Sequence, residues 1–128
     1  MKKIKKIILG ILALIIIILA GAFIFISNGL EAGKNLVVNS VSAAGLEDGT
    51  YKGKYDGGRW TNEVNVSVAG GKITKITAVK TVMVENKETT EALFKEVINK
   101  QSTAVDVISG ATVTCKAYLK SIENALSK

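Results

Sequence analysis

The chain has 128 residues with no His, no Pro and one Cys, and it carries a formal net charge of +6. This length allows one domain with a core of modest size. A single Cys excludes an internal disulfide, a dithiol pair and a thiolate metal cage. Without His, the Ser-His-Asp and Cys-His nucleophiles are excluded, and no metal site is predicted. Any chemistry must therefore come largely from a group that the protein carries.

The first segment has the pattern of a membrane anchor. Four Lys residues lie within residues 1–6, and an apolar run follows from Ile7 to Ile26. About 20 apolar residues suffice to cross a bilayer core. Positive charge on one flank predicts a cytoplasmic N-terminus and an extracytoplasmic remainder. A cleaved signal peptide is the alternative, with a small-residue site at 20–22. The apolar run continues past that site, which favours a retained, single-pass anchor over residues 1–26. Either interpretation exports the rest of the chain.

The basic composition belongs mostly to this first segment. The four Lys residues supply most of the net charge, and the remaining charges alternate in sign. Nucleic-acid binding requires a clustered basic patch, usually with aromatic side chains. We therefore predict membrane lipid, and no nucleic acid, as a partner.

Residues 27–47 are rich in Gly, Ser, Asn and Ala, and we interpret them as a linker. As a flexible tether they would reach on the order of 25 Å. The apolar island Leu36-Val37-Val38 leaves open a short helix or strand on the edge of the domain.

The folded unit is predicted to cover residues 48–128 and to begin with a hairpin-rich sheet. Turn signals at Asp48-Gly49 and 56–58 bracket a short strand with Tyr51 and Tyr55 on one face. A second strand alternates through Val64, Val66 and Val68.

A β-hairpin is predicted to connect the second strand to a third. Gly70-Gly71 fits a two-residue hairpin turn, and the return strand covers residues 72–79. Ile73 and Ile76 fall on opposite faces of an ideal strand, which predicts a bulge. A fourth short strand fits Thr81–Val84.

Two amphipathic helices follow the strands. In the first, Thr89 or Thr90 is predicted to cap the start, and one apolar stripe contains Ala92, Leu93, Val97 and Ile98. The second stripe contains Cys115, Tyr118, Leu119, Ile122, Ala125 and Leu126. Together the pattern predicts an α+β fold, in which an N-terminal transmembrane helix precedes a small antiparallel sheet with two packed helices.

A run of small residues leads into the second helix. Gly110 permits a sharp turn, and a structural interpretation has Ser109 or Thr112 capping the helix. The same place suits an anion, because a helix N-terminus offers free N–H groups and small side chains let a phosphate approach.

The segment "DVISGATVT" resembles the D-x-x-S-G-A-T motif of the FMN-binding domain family. That domain occurs in the sodium-pumping NADH:quinone oxidoreductase, in the Rnf complex and in small membrane-anchored extracytoplasmic flavoproteins. The similarity extends to "DGTYKGKYDG", to the Val-alternating strand with "GGKIT", and to "KAYLKSIENAL". It covers roughly residues 48–128.

The resemblance implies covalently bound FMN. In the family a Mg²⁺-dependent flavin transferase splits FAD and joins FMN through its phosphate to the last Thr of the motif, which is Thr112 here. Asp106, Ser109, Gly110 and Ala111 would be the motif that the transferase recognises.

An electron carrier of this kind needs no acid, base or metal of its own, because the isoalloxazine ring performs the chemistry. We therefore expect a tethered extracytoplasmic flavoprotein that relays electrons between a membrane donor, such as a quinone-linked oxidoreductase, and an external or membrane acceptor. The alternatives are a binding module of the same fold without flavin, and a reductase that uses FMN.

Four further residues can also be interpreted from the sequence. Cys115 is interpreted as a packing residue without a redox role. Trp60 is a candidate to pack on the flavin ring, although a core position fits equally well. Arg59 is a candidate partner of the phosphate, and Thr114 is the competing hydroxyl.

Overall fold

The computed structural model describes residues 1–108 and 110–127. It confirms an α+β fold with an N-terminal apolar helix. The described elements, in chain order, are α1 (Lys2–Ser27), α2 (Leu30–Lys34), β1 (Gly49–Tyr55), a 3₁₀ turn (Gly58–Trp60), β2 (Asn62–Ala69), β3 (Lys72–Lys80), α3 (Lys87–Lys100) and α4 (Thr112–Leu126).

The first helix is long and apolar enough to cross a membrane. Its 26 residues contain none that is buried in the protein. At 1.5 Å per residue the helix is about 39 Å long, which exceeds the roughly 30 Å of a bilayer core. Membrane anchors and signal sequences share these properties. Retention and orientation of α1 therefore stay predictions.

The sheet is antiparallel and has the order β1-β2-β3. Val64, Val66 and Val68 are buried, as their alternation predicts. On β1, Tyr51 lies opposite Val66, and both Tyr51 and Tyr55 pack against the core. The shared face predicted for the two tyrosines is confirmed.

The predicted hairpin and bulge are both present. Gly70 and Gly71 have φ angles of 61° and 71°, in the region that a tight hairpin turn needs. The register shifts between Ser67, which pairs with Lys75, and Val68, which pairs with Ile73. The extra residue on β3 lets Ile73 and Ile76 both face the core, where they are 2% and 9% exposed.

The fourth strand predicted at Thr81–Val84 is wrong. The described sheet ends at Lys80, and the backbone donors of the next residues have other partners. The Val82 N–H donates to the Tyr118 hydroxyl at 3.2 Å. The Met83 N–H donates to the Arg59 carbonyl at 2.9 Å. The segment is therefore a loop fixed to the 3₁₀ turn and to α4.

The last helix, α4, lies directly on the sheet. A Cβ placed on Gly53 of β1 would overlap the Ser121 carbonyl of α4, so the two backbones are in contact. Inside this interface the Ser121 hydroxyl donates to the Asn62 side-chain oxygen at 2.6 Å. The stripe predicted for this helix is confirmed, since all six of its residues are buried: Cys115, Tyr118, Leu119, Ile122, Ala125 and Leu126.

The stripe predicted for α3 is wrong at one position. Leu93 and Val97 are buried and Ile98 is partly buried, but Ala92 is exposed. Phe94 takes its place in the core, because its ring meets the Tyr118 ring edge to face at 5.4 Å between centroids. The larger side chain therefore sets the rotation of the helix.

The cap predicted for α3 is also wrong. The N-cap is Asn86, whose side-chain oxygen accepts the Thr89 N–H at 3.2 Å. Thr90 lies inside the helix and donates its hydroxyl back to the Asn86 carbonyl at 3.1 Å. Asn is among the strongest N-cap residues, and its position three residues before Thr89 suits this bond.

Residues 28–47 fold back onto the domain instead of forming an open tether. The short helix α2 precedes the apolar island and packs through Gly33 against Val113 of α4. The Lys116 ammonium donates to the Lys34 carbonyl at 2.9 Å. Further along, the Asn39 amide donates to the Glu123 carboxylate at 2.8 Å. This stretch therefore forms one side of the folded unit.

Candidate functional site

The turn before α4 exposes the start of that helix. Gly110 has a φ of 84°, a left-handed conformation that favours glycine. Ala111 is the N-cap residue and its N–H donates to the Ile108 carbonyl at 3.0 Å. Thr112 is the first helical residue, so the interpretation of Thr112 as the cap is wrong. Ser109 lies outside the described residues.

The first turn of α4 is open to a ligand. Ala111 has no side-chain acceptor, so it offers no cap to the N–H groups that start the helix. Those groups and the helix dipole favour an anion. The Thr112 side chain is exposed, whereas Thr114 is only partly exposed. Of the two hydroxyls, that of Thr112 is the more accessible to a second macromolecule.

Two clefts adjoin this helix start, each with a volume of about 380 Å³. This volume falls in the range of small-molecule sites, roughly 300 to 1,000 Å³. Both clefts are lined by Arg59, Trp60 and Thr114, together with the backbone of the turn at 110–111. Thr112 lines the second cleft, beside Lys34 of α2.

The 3₁₀ turn places Arg59 and Trp60 against the helix start. The turn is closed by the Thr61 hydroxyl, which donates to the Gly58 carbonyl at 2.7 Å. The Arg59 guanidinium carbon lies 4.4 Å from the centroid of the Trp60 ring, in a cation–π contact. The Arg59 Nε is buried and has no hydrogen-bond partner among the described residues. The site therefore contains a positive group with unused donor capacity, stacked on an aromatic ring.

Asp106 faces a different surface from Thr112. It is exposed and lines a separate cleft with residues of α3, among them Leu93 and Lys100. The structure does not bring its carboxylate together with the Thr112 hydroxyl in either of the two clefts at the helix start. The cleft that Asp106 lines shares Ile108 with the first cleft, so Asp106 lies near the helix start without lining either of its clefts.

Cys115 lies one turn into α4 and is fully buried. Burial raises the pKa of its thiol, against a smaller opposing effect of a hydrogen bond with the Ile108 backbone. The thiol is therefore protonated at neutral pH, which disfavours nucleophilic chemistry.

Sequence reasoning named Arg59, Trp60 and the hydroxyls of Thr112 and Thr114, but it missed other residues of the clefts, among them Lys34. Arg59 and Trp60 were singled out from "GGRW", and the structure places both beside Thr112. Lys34 was missed, because it lies 78 residues before Thr112 in a segment interpreted as a linker. Its place in the site follows from the contact between Gly33 and Val113, which no local pattern predicts.

The fold and the site define a small α+β domain whose last helix begins with an exposed hydroxyl and an open, positively charged cleft. The chain matches the model of the FMN-binding domain family over residues 57–127. It therefore belongs to the FMN-binding domain family, as the motif at residues 106–112 predicted. No curated protein matches the chain significantly.

Proposed function

We propose that the protein is a membrane-anchored extracytoplasmic electron carrier with FMN joined through its phosphate to Thr112. A flavin transferase with Mg²⁺ would supply the FMN from FAD. The Thr112 oxygen forms a bond to the FMN phosphorus, the pyrophosphate bond breaks, AMP leaves and the hydroxyl proton is released. No electrons are gained or lost in this step, so it needs no oxidant or reductant.

The exposed Thr112 hydroxyl at the open start of α4 carries this proposal. A transferase must reach the hydroxyl. The preceding residues obstruct it little, because Gly110 has no side chain and the side chain of Ala111 is a methyl group. The phosphodiester would keep one negative charge, which the helix start favours. Arg59 and Lys34 line the same cleft and would offset that charge.

The two clefts suit the remainder of the cofactor. Trp60 is 7% exposed and presents part of its surface to both clefts, and Arg59 covers one face of its ring. An aromatic wall of this kind suits a flat heterocycle. When bound, FMN would supply the electron transfer itself. The protein would position it, balance its charge and keep it from dissociating.

The test is co-expression with a flavin transferase. The wild-type protein should be yellow, fluoresce in a denaturing gel and gain the mass of FMN less water. Thr112→Ala should lose all three signals and keep its fold, because the side chain is exposed and does not cap the helix. Thr114→Ala, the matched control, should stay labelled.

Asp106→Ala separates recognition from attachment. Because its carboxylate lies away from the Thr112 cleft, we expect slower labelling with the acceptor atom intact. Flavin mapped to Thr114 or Ser109, or labelling of Thr112→Ala, would overturn the assignment. A wild-type protein that stays colourless with an active transferase would support a binding module without flavin.

The location has its own test. Reporters appended after Lys128 should be active outside the cytoplasmic membrane, and the protein should stay in the membrane fraction after a high-salt wash. An electron donor in the membrane, such as a quinone-linked oxidoreductase, would then reduce the flavin. A mature N-terminus at Phe23 or release by salt would contradict the anchor.

A further inference from the structure

The C-terminal end of α1 contacts the 3₁₀ turn, whose residues Arg59 and Trp60 line both clefts at the start of α4, together called the flavin cleft below. A Cβ on Gly58 of the 3₁₀ turn would overlap the backbone of Asn28, and a Cβ on Gly29 would overlap the Gly57 carbonyl. Asn28 is the C-cap of α1 and lies two residues beyond the apolar run. The interfacial layer on each side of a bilayer core is about 5 to 7 Å thick. The 3₁₀ turn therefore lies close to where the chain leaves the membrane.

The loop after β3 is fixed to this same turn. Val82 is 2% exposed and its N–H bonds to Tyr118, while the Met83 N–H bonds to the Arg59 carbonyl. At its other end the loop leads into Asn86, which is the N-cap of α3. The backbone of the loop is thus held on both sides.

Two consecutive apolar side chains nevertheless point outward from this loop. Met83 is 61% exposed and Val84 is 73% exposed. Apart from Met1 and α1, the exposed large apolar side chains among the described residues are Val37, Val79, Met83 and Val84. A held loop that presents adjacent apolar side chains is suited to contact an apolar surface.

We infer that Met83 and Val84 enter the interface of the bilayer that carries α1, and thereby orient the flavin cleft toward the membrane. Their loop adjoins Arg59, whose turn contacts the end of α1, and Val84 itself lines the first cleft. Arg59 and Lys80 lie beside Met83, and basic side chains at this depth favour anionic headgroups. The electron partner would then be a membrane-embedded group and not a soluble carrier. This inference rests on the proposed retention of α1 as an anchor.

The test uses the full chain in vesicles that contain anionic lipid. Met83→Cys and Val84→Cys are made in a Cys115→Ser background, so that only the new thiol accepts a nitroxide. Lys72→Cys is the matched control, because Lys72 is exposed and pairs with Ala69 at the end of the sheet away from the 3₁₀ turn. Electron paramagnetic resonance then compares collision with oxygen, which concentrates in lipid, and with a water-soluble nickel chelate.

We expect labels at positions 83 and 84 to collide severalfold more with oxygen, relative to nickel, than the label at 72. Equal nickel accessibility at all three positions would overturn the inference. Protection from both reagents at position 83, which lines neither cleft at the start of α4, would indicate protein contact, such as a second copy of the chain, and would also overturn it. Loss of the chain from the vesicles would refute both the anchor and this orientation, whereas labelling of Thr112 would be unaffected.

Discussion

The helices α3 and α4 are similar in length but begin in opposite ways. The 14-residue α3 has a cap, since the Asn86 side chain accepts the Thr89 N–H. The 15-residue α4 starts at an alanine N-cap that offers no side-chain acceptor. A protein that needs α4 only for packing gains from a cap of the α3 kind, worth about 1 kcal/mol. Among the described residues, the start of α4 therefore lacks such a cap, which suits the ligand proposed for that end.

The two ends of α4 also differ in how far their side chains are buried. Its first residue is exposed, whereas Ser121, Ile122 and Glu123 are buried in its second half. Burial begins at Cys115, and further along the helix the buried Ser121 and Glu123 also have hydrogen-bond partners. The first turn can therefore be specialised for binding at little cost to the fold.

Among the substitutions that test this difference between the helix starts, Gly110→Ala has the largest expected effect. Gly110→Ala places a side chain in a left-handed conformation, which costs about 1 to 2 kcal/mol of unfolding free energy. Gly45→Ala is the matched control, because Gly45 has a φ of 83° against 84° for Gly110 and both have open space around the Cβ. We expect similar losses in urea unfolding, but reduced flavin incorporation only for Gly110→Ala. Equal incorporation in both variants would show that the turn geometry is unimportant for the site.

The charge at the open start is tested by Arg59→Gln. A nearby positive charge stabilises the reduced flavin, so its removal should lower the midpoint potential. For a two-electron couple, about 30 mV corresponds to about 1.4 kcal/mol. We expect a shift on this scale in a redox titration, with Arg59→Lys close to wild type. An unchanged potential in Arg59→Gln would place the guanidinium away from the flavin.

For the capped helix α3 we predict the opposite result, a loss of stability without a loss of flavin. Asn86→Ala removes the cap of α3 and should cost about 1 kcal/mol of unfolding free energy. Flavin incorporation at Thr112 should not change, because Asn86 lines the first cleft but not the second cleft, which contains the Thr112 hydroxyl. Denaturant unfolding and gel fluorescence measure the two effects separately. A variant that lost flavin at unchanged stability would contradict the distinction between the helix starts.

The smallest expected effect concerns Glu123, in the second half of α4. Burial opposes ionisation of Glu123, but hydrogen bonds from Lys120 and Asn39 outweigh it and hold the pKa of the carboxyl below its usual value. A carboxyl with a lowered pKa in the folded state stabilises the fold above the unfolded pKa, and this contribution is lost as the pH falls through the folded pKa. Wild type should therefore lose stability in acid more steeply than Glu123→Gln. Parallel losses in urea unfolding would assign the effect to other groups.

Patterns local in sequence predicted much of the fold and part of the site. The hairpin at 70–71, the bulge that lets Ile73 and Ile76 share the core, and the stripe of α4 follow from short-range periodicity. The position of Thr112 at a helix start follows in the same way. Periodicity alone was insufficient where a large side chain determines which of two nearby residues is buried, as Phe94 is and Ala92 is not.

Contacts between distant segments were not predictable from the sequence. The Lys116 ammonium is bonded to the Lys34 carbonyl, and any residue offers such a carbonyl. The Asn39 side chain does bond to Glu123, but the two residues are 84 positions apart, so no pattern within residues 28–47 predicts the fold-back. For the same reason the sequence could name Arg59 and Trp60 but could not place them beside the start of α4.

The attachment of residues 34–41 to the domain also limits how far the domain can travel. The Thr103 hydroxyl donates to the Asn39 carbonyl at 2.6 Å and accepts the Val41 N–H at 3.0 Å, while Lys120 reaches the Val37 carbonyl at 3.4 Å. A free chain covering residues 27–47 would let the domain sweep a hemisphere on the order of 25 Å in radius. In the proposed anchored carrier, this clamp would make encounters with a redox partner depend on lateral diffusion of the two proteins in the plane of the lipid. The rate of electron transfer should then follow the fluidity and crowding of the membrane more closely than the viscosity of the surrounding water.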